Sequence, residues 1–180
     1  PAVPKVVPRP AARPRADSHR QSLPRVVLIG ASTGGPVAIQ RVLTQLPAGY
    51  PCPVLVAVHM PAEFTSTFAE RLDHLCEVQV RLAADADTLE PGRALVAPGG
   101  RQTLLERRNG RVRVRVIAGG DQVYKPSIDI LFGSAARSLE GDCLAIVLTG
   151  MGADGAEGLL AMRRSGATTL AQDEATCVVY

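Results

Sequence analysis

The run Val26-Val27-Leu28-Ile29-Gly30-Ala31-Ser32-Thr33-Gly34-Gly35-Pro36 decides how this chain is read. An aliphatic stretch gives way to Gly-x-Ser-x-Gly and then to a proline placed where a helix can begin. At such a strand-turn-helix junction the serine is held out at the end of a sheet, and the backbone N–H groups that follow are free to hold an oxyanion. Pro36 suits the first helical position, where a missing N–H costs nothing. Gly, Ser and Thr also build ordinary tight turns and phosphate-binding loops, so the motif alone leaves nucleophile, turn former and phosphate cradle all open. The Lys-Ser/Thr ending of a P-loop is missing, and Gly30 to Gly35 does not fit G-x-G-x-x-G.

Outward from this junction, short β-branched runs alternate with helical periods. That pattern predicts an α/β fold: a mostly parallel, doubly wound sheet with helices on both faces and an antiparallel β-hairpin insertion. The helix from Pro36 turns Val37, Ile39, Val42, Leu43 and Leu46 largely to one side before Pro47 stops it. Val54 to Val58 reads as a second strand, followed by a helix bearing Phe64, Phe68, Leu72 and Leu75. Two strand-like runs within residues 102–117 flank Asn109-Gly110, the strongest short-range hairpin signal. Ser127 to Leu139 follows as a helix with Ile128, Leu131, Phe132, Ala135 and Leu139 on one stripe and Ser127 as its N-cap. Cys143 to Leu148 is a buried strand, Thr149 to Gly155 the turn after it, Ala156 to Arg164 a helix, and Thr168 to Ala171 a last clear strand.

Composition narrows the function. The chain has 180 residues, 46% hydrophobic and only 3% aromatic, so aliphatic side chains must fill one core. The formal charge of +3 is carried by the start of the chain: residues 1–25 hold six Lys/Arg and one Asp, leaving 14 basic and 16 acidic residues behind them. A nucleic-acid reader would carry its positive charge on the folded body, with stacking aromatics, and neither is present. No apolar run reaches bilayer-spanning length and the N-terminus lacks a signal-peptide core, which predicts a cytoplasmic protein without membrane insertion. Cys52, Cys76, Cys143 and Cys177 have no C-x-x-C spacing and sit in or beside apolar runs, so no metal, disulfide or cofactor is expected. Residues 1–24 contain six of the fourteen prolines and several arginines, the composition of an unfolded linker, with residues 25–180 as the folded domain.

In an open parallel α/β sheet, sites form beyond the carboxyl ends of the strands. Ser32 lies just past the first strand, His59 just past Val58, and Asp154 in the Gly-rich turn after Leu148. Hydroxyl, imidazole and carboxylate are the groups of an acyl-transfer triad. Each also has a plain account: turn former, strand-end histidine, cap of the next helix. Asp173 and Glu174 compete for the acid, while His74 and His19 are poorer rivals for the base. The order Ser…His…Asp differs from that of ordinary α/β-hydrolases, which carry the acid before the histidine.

Ile29-Gly30-Ala31-Ser32-Thr33-Gly34-Gly35, His59-Met60-Pro61, Ala97-Pro98-Gly99, Pro126-Ser127-Ile128-Asp129, Leu148 to Ala156 and Leu170 to Ala175 together resemble the catalytic domain of the chemotaxis response regulator protein-glutamate methylesterase. The resemblance implies a serine hydrolase that removes methyl esters from glutamates on cytoplasmic chemoreceptor helices and deamidates receptor glutamines. It maps the triad onto Ser32, His59 and Asp154, with Thr33 and then Met151 as oxyanion candidates. It implies a receiver domain before the linker, absent from this sequence, and further sheet and helix beyond Tyr180. The same fold serving as a non-catalytic receptor- or partner-binding module is the rival reading. Arg111, Arg113 and Arg115 alternate with valines, giving a strip that is either a solvated hairpin face or a dock for acid-rich receptor helices.

Overall fold

Residues buried on both faces of a parallel sheet need continuous apolar runs, and the central strands are of that kind. In the computed structural model, which describes Leu23 and residues 25–180, β1 (Val27–Ala31) and β2 (Val54–Val58) are buried at every position. The linker assignment for residues 1–24 falls, Leu23 apart, outside the described residues. Four further strands join them: β3 (Gln79–Leu82), β4 (Arg93–Val96), β7 (Leu144–Val147) and β8 (Thr168–Ala171). The order across the sheet is β3-β4-β2-β1-β7-β8, and every neighbouring pair is parallel. The chain builds outward from β1 on one side, then returns to build on the other. The order therefore reverses at β1, where open α/β sheets place their sites.

Two helices cover each face. On one side α1 (Gly35–Leu43) and α2 (Ala62–Leu75) bury Ile39, Leu43, Ala69 and Leu72 against Val27, Ile29, Val56 and Val58. On the other, α3 (Ile128–Leu139) and α4 (Ala156–Arg164) bury Leu131, Phe132, Ala135 and Met162 against Leu28, Leu55 and Ala145. The helical periods locate both faces with one correction each on the first side. Val37 is exposed rather than inward, and α1 ends at Leu43, well before Pro47. In α2 the buried stripe is Thr65, Ala69 and Leu72, and Phe64 and Leu75 face solvent. Neighbouring stripes on a helix differ by about 100° of rotation, and small residues at 65 and 69 let the helix lie close on the sheet.

The hairpin β5 (Arg101–Arg108) and β6 (Arg111–Ala118) turns at Asn109 and Gly110, whose φ of 51° and 74° are the left-handed values a two-residue turn requires. Leu105, Val112, Val114 and Val116 pack it onto the α3 side of the core. Two serines one helical turn apart on α3 fasten it: Ser134 Oγ accepts from the Leu105 N–H at 2.9 Å, and Ser138 Oγ donates to the Leu105 carbonyl at 2.8 Å. Ser134→Ala is expected to destabilise the fold by about 1–3 kcal/mol, since the buried N–H then has no acceptor; urea melts read this directly. The strip of arginines is less basic than its sequence, because Arg115 is paired with both Asp85 and Glu106.

Candidate active site

Hydrogen bonds between strand ends continue the sheet ladder into the loops. The His59 N–H donates to the Ala31 carbonyl at 3.1 Å, and the Ser32 N–H to the Thr149 carbonyl at 3.0 Å. Three adjacent strands, β2, β1 and β7, thus deliver His59, Ser32 and the loop carrying Asp154 to one edge. Ser32 Oγ lies 3.0 Å from His59 Nδ1, and His59 Nε2 lies 2.7 Å from Asp154 Oδ2. The imidazole is used the opposite way round from that of chymotrypsin-type proteases, in which Nε2 faces the serine. With Asp154 ionised, the proton belongs on Nε2, which leaves the Nδ1 lone pair to accept the serine hydroxyl. The histidine and aspartate side chains are only 13% and 7% exposed.

Asp154 does not cap the helix that follows it; Gly155 occupies that position without a side-chain bond. Its carboxylate turns instead to the start of α3. Oδ2 accepts from the Ile128 N–H at 2.7 Å, and Oδ1 accepts from the Ser127 hydroxyl at 2.8 Å and the Asp129 N–H at 3.1 Å. The first N–H groups of a helix lack internal partners and carry its positive end, so a carboxylate is held there as an anion. Ser127 is the N-cap foreseen from sequence, accepting from the Ile130 N–H, and it donates to Asp154 as well. Burial pushes the Asp154 carboxyl up, but the bonds from His59, Ile128, Ser127 and Asp129 outweigh it and lower it from 3.8 to about 2.

The rivals lie elsewhere. Asp173 accepts from the Ala175 N–H and caps the short turn Glu174–Thr176, Glu174 and His74 are exposed, and His19 is outside the described residues. Cys143 is buried, which pushes its thiol up to about 12.

The serine loop is tightly framed. Gly34 adopts φ 80°, and a Cβ there would come within 2.7 Å of Val178. A Cβ at Gly150 would lie 2.7 Å from the Ser32 Cβ. Gly150→Ala is therefore expected to displace Ser32 and, if Ser32 is the nucleophile of a hydrolase, to lower its turnover by about 10²-fold, measured beside a thermal melt that shows the fold retained. Among the described residues the Thr33 and Gly34 N–H groups have no hydrogen-bond partner, whereas those of Ser32, Gly35 and Gly150 are bonded to backbone carbonyls. Met151 is exposed on the facing loop.

Three neighbours of the site were not assigned roles from sequence. Thr149 Oγ1, buried, accepts from the N–H groups of Val178 and Val179 at 3.0 Å each and lies 3.0 Å from the Thr33 carbonyl, tying the serine loop to the last residues of the chain. Tyr124 stacks its ring on the His59 imidazole, and Gln102 bonds both Tyr124 and Ser127. Tyr124 falls two residues before the quoted Pro126-Ser127, the only sequence signal that points to it.

The family model of the CheB methylesterase matches residues 27–180. The chain belongs to the CheB methylesterase family. It is 56% identical over 167 residues to the protein-glutamate methylesterase/protein-glutamine glutaminase of Alkalilimnicola ehrlichii, covering 92% of this chain and 43% of that protein. A protein of the same name from Pseudomonas syringae is 50% identical over 192 residues, covering 99% and 49%. The chain thus spans less than half the length of these curated relatives. The crystal structure of the Thermotoga maritima CheB methylesterase catalytic domain superposes with a TM-score of 0.83 at 36% identity, over 87% of this chain and 84% of that one. The parallel sheet with its separate hairpin is thus the fold of the CheB catalytic domain. Among the described residues no helix is long and apolar enough to cross a membrane.

Proposed function

We propose that the chain is a serine hydrolase of protein side chains: it removes methyl groups from glutamate γ-methyl esters on the cytoplasmic helices of chemoreceptors, and deamidates receptor glutamines by the same route. The continuous hydrogen-bonded run from Ser32 through His59 to Asp154 carries this proposal. Membership of the CheB methylesterase family and the names of its relatives support the substrate. Ser32 Oγ attacks the side-chain carbonyl carbon while its proton passes to His59 Nδ1. The carbonyl oxygen, now an oxyanion, is met by the Thr33 N–H, with Met151 or its loop supplying the second donor. Asp154 holds Nε2 protonated and stabilises the imidazolium. Collapse of the tetrahedral intermediate expels methoxide, which takes the proton from His59 and leaves as methanol. Water then attacks the acyl-Ser32 ester by the reverse sequence of proton transfers and releases the glutamate. With glutamine the leaving group is ammonia, and every other step is unchanged.

Residues 1–24 serve in this proposal as the linker from a receiver domain, on the strength of their Pro/Arg composition. A non-catalytic module would have no need of three reactive groups held in mutual hydrogen-bond contact. Methanol release from methylated receptor membranes tests the proposal. Release by the chain and its loss in Ser32→Ala support it; equal release from both, or none from either, refutes it.

A further inference from the structure

His59 follows directly on β2 as a single side chain hinged at two torsions, and the ring nitrogens that meet Ser32 and Asp154 donate and accept in the plane of the imidazole. In-plane bonds fix where the two nitrogens point along the line from serine to aspartate. They leave the ring free to rock about that line. Something must hold its face.

Tyr124 does so. Its ring lies parallel to the imidazole, with centroids 4.2 Å apart and 4° between the planes. A flat aromatic wall at contact distance removes the rocking freedom that the in-plane bonds leave. Tyr124 is itself on the irregular segment between β6 and α3 and partly exposed, so its position needs an anchor. Gln102 supplies one. The residue is 2% exposed, its Nε2 donates to the Tyr124 carbonyl at 2.7 Å, and its Oε1 accepts from the Ser127 N–H at 2.8 Å. Ser127 in turn donates to Asp154. One buried amide on the first hairpin strand thus sets both the wall behind the imidazole and the cradle of the carboxylate.

We infer that Tyr124 is a positioning residue for the His59 general base, with Gln102 as the buried bracket that registers Tyr124 against the Asp154 cradle. The inference rests on the hydrolase reading of Ser32, His59 and Asp154, and it assigns a catalytic purpose to the hairpin insertion. The Tyr124 hydroxyl takes no part in the stacking, so the aromatic face alone is what His59 requires. The ring acts on the turnover step more than on substrate capture.

Three variants of the whole chain test this: Tyr124→Phe, which keeps the face; Tyr124→Leu, which keeps only apolar bulk; and Gln102→Met, which keeps length without either hydrogen bond. Turnover is read as methanol released from a peptide bearing a glutamate γ-methyl ester. The ring C–H resonances of His59 are read by NMR, where a stacked tyrosine shifts them upfield. The expected result is a kcat within about twofold of the unsubstituted protein for Tyr124→Phe, and about tenfold lower for Tyr124→Leu with KM changed less than about twofold, the size expected of a small loss of alignment. The upfield shift should persist in the first and vanish in the second. Gln102→Met should lower kcat and reduce the shift. An unchanged kcat in Tyr124→Leu, or equal losses in Leu and Phe variants, would overturn the inference. So would His59 resonances that do not move when the ring is removed. Failure of the hydrolase reading has a different signature, no turnover by the unsubstituted chain; the resonances need no turnover and still decide whether the ring holds the imidazole.

Discussion

Ser32→Ala is expected to reduce methanol release by on the order of 10⁴- to 10⁶-fold, the range seen when the nucleophile of a serine triad is removed. The physical reason is that, among the described residues, no hydroxyl or thiol other than that of Ser32 is hydrogen-bonded to His59. His59 Nδ1 lies 3.0 Å from the Ser32 oxygen, and its other nitrogen is committed to Asp154. A water admitted into the space of the lost hydroxyl would have to be held and activated by the same imidazole without the covalent step. Stability should hardly move, because among the described residues the only side-chain hydrogen bond of Ser32 is the one to His59. A variant that melts with the parent but releases no methanol separates loss of chemistry from loss of fold. Residual release comparable to the parent would mean that a different nucleophile acts.

Asp154→Asn is expected to cost about 10⁴-fold in kcat and to weaken the fold as well. Four donors converge on this carboxylate, from His59, Ile128, Ser127 and Asp129. An amide of the same shape must point its NH₂ at some of them. If it faces His59, the imidazole proton moves to Nδ1 and the ring can no longer accept the serine hydroxyl. If it faces the start of α3, it meets N–H groups that need an acceptor. The folded carboxyl is lowered from 3.8 to about 2, so the ionised group stabilises the fold above about pH 4 and that stabilisation is lost as the pH falls towards 2. A lowering of that size corresponds to about 2 kcal/mol. Urea melts of the parent should therefore show a stability loss between about pH 4 and 2 that Asp154→Asn lacks. Equal pH slopes for the two proteins would show that the cradle does not hold an anion.

Much of this architecture is legible without coordinates because buried parallel strands must be apolar on both faces. Val54 to Val58, buried at every position, is read to the residue on that ground; Thr168 to Ala171 is also read to the residue, but it is a mostly exposed edge strand, marked by its β-branched threonines after the glycine turn rather than by burial. The strands β3 and β4 escape notice: Gln79, Arg81 and Arg93 interrupt their apolar character, since β3 is an edge strand and is not covered equally on its two faces. The stripe on α2 is misplaced by one position because periodicity gives the existence of an apolar face more securely than its rotation. Ser127 is identified as a helix cap, yet its second bond, to Asp154, spans 27 positions of chain and leaves no local signature.

The order of residues determined which groups stand at strand ends, because the residues and loops that follow a parallel strand stand at the carboxyl edge of the sheet wherever the sheet goes. It thereby specified a hydroxyl, an imidazole and a carboxylate at β1, β2 and β7. Only the tertiary structure decided that β2 and β7 flank β1, that Asp154 accepts hydrogen bonds from the start of α3 instead of capping α4, and that Tyr124, bonded to Gln102, stacks on His59. Pairing, capping and stacking between distant segments depend on where packed elements meet in space. No spacing along the chain encodes that meeting.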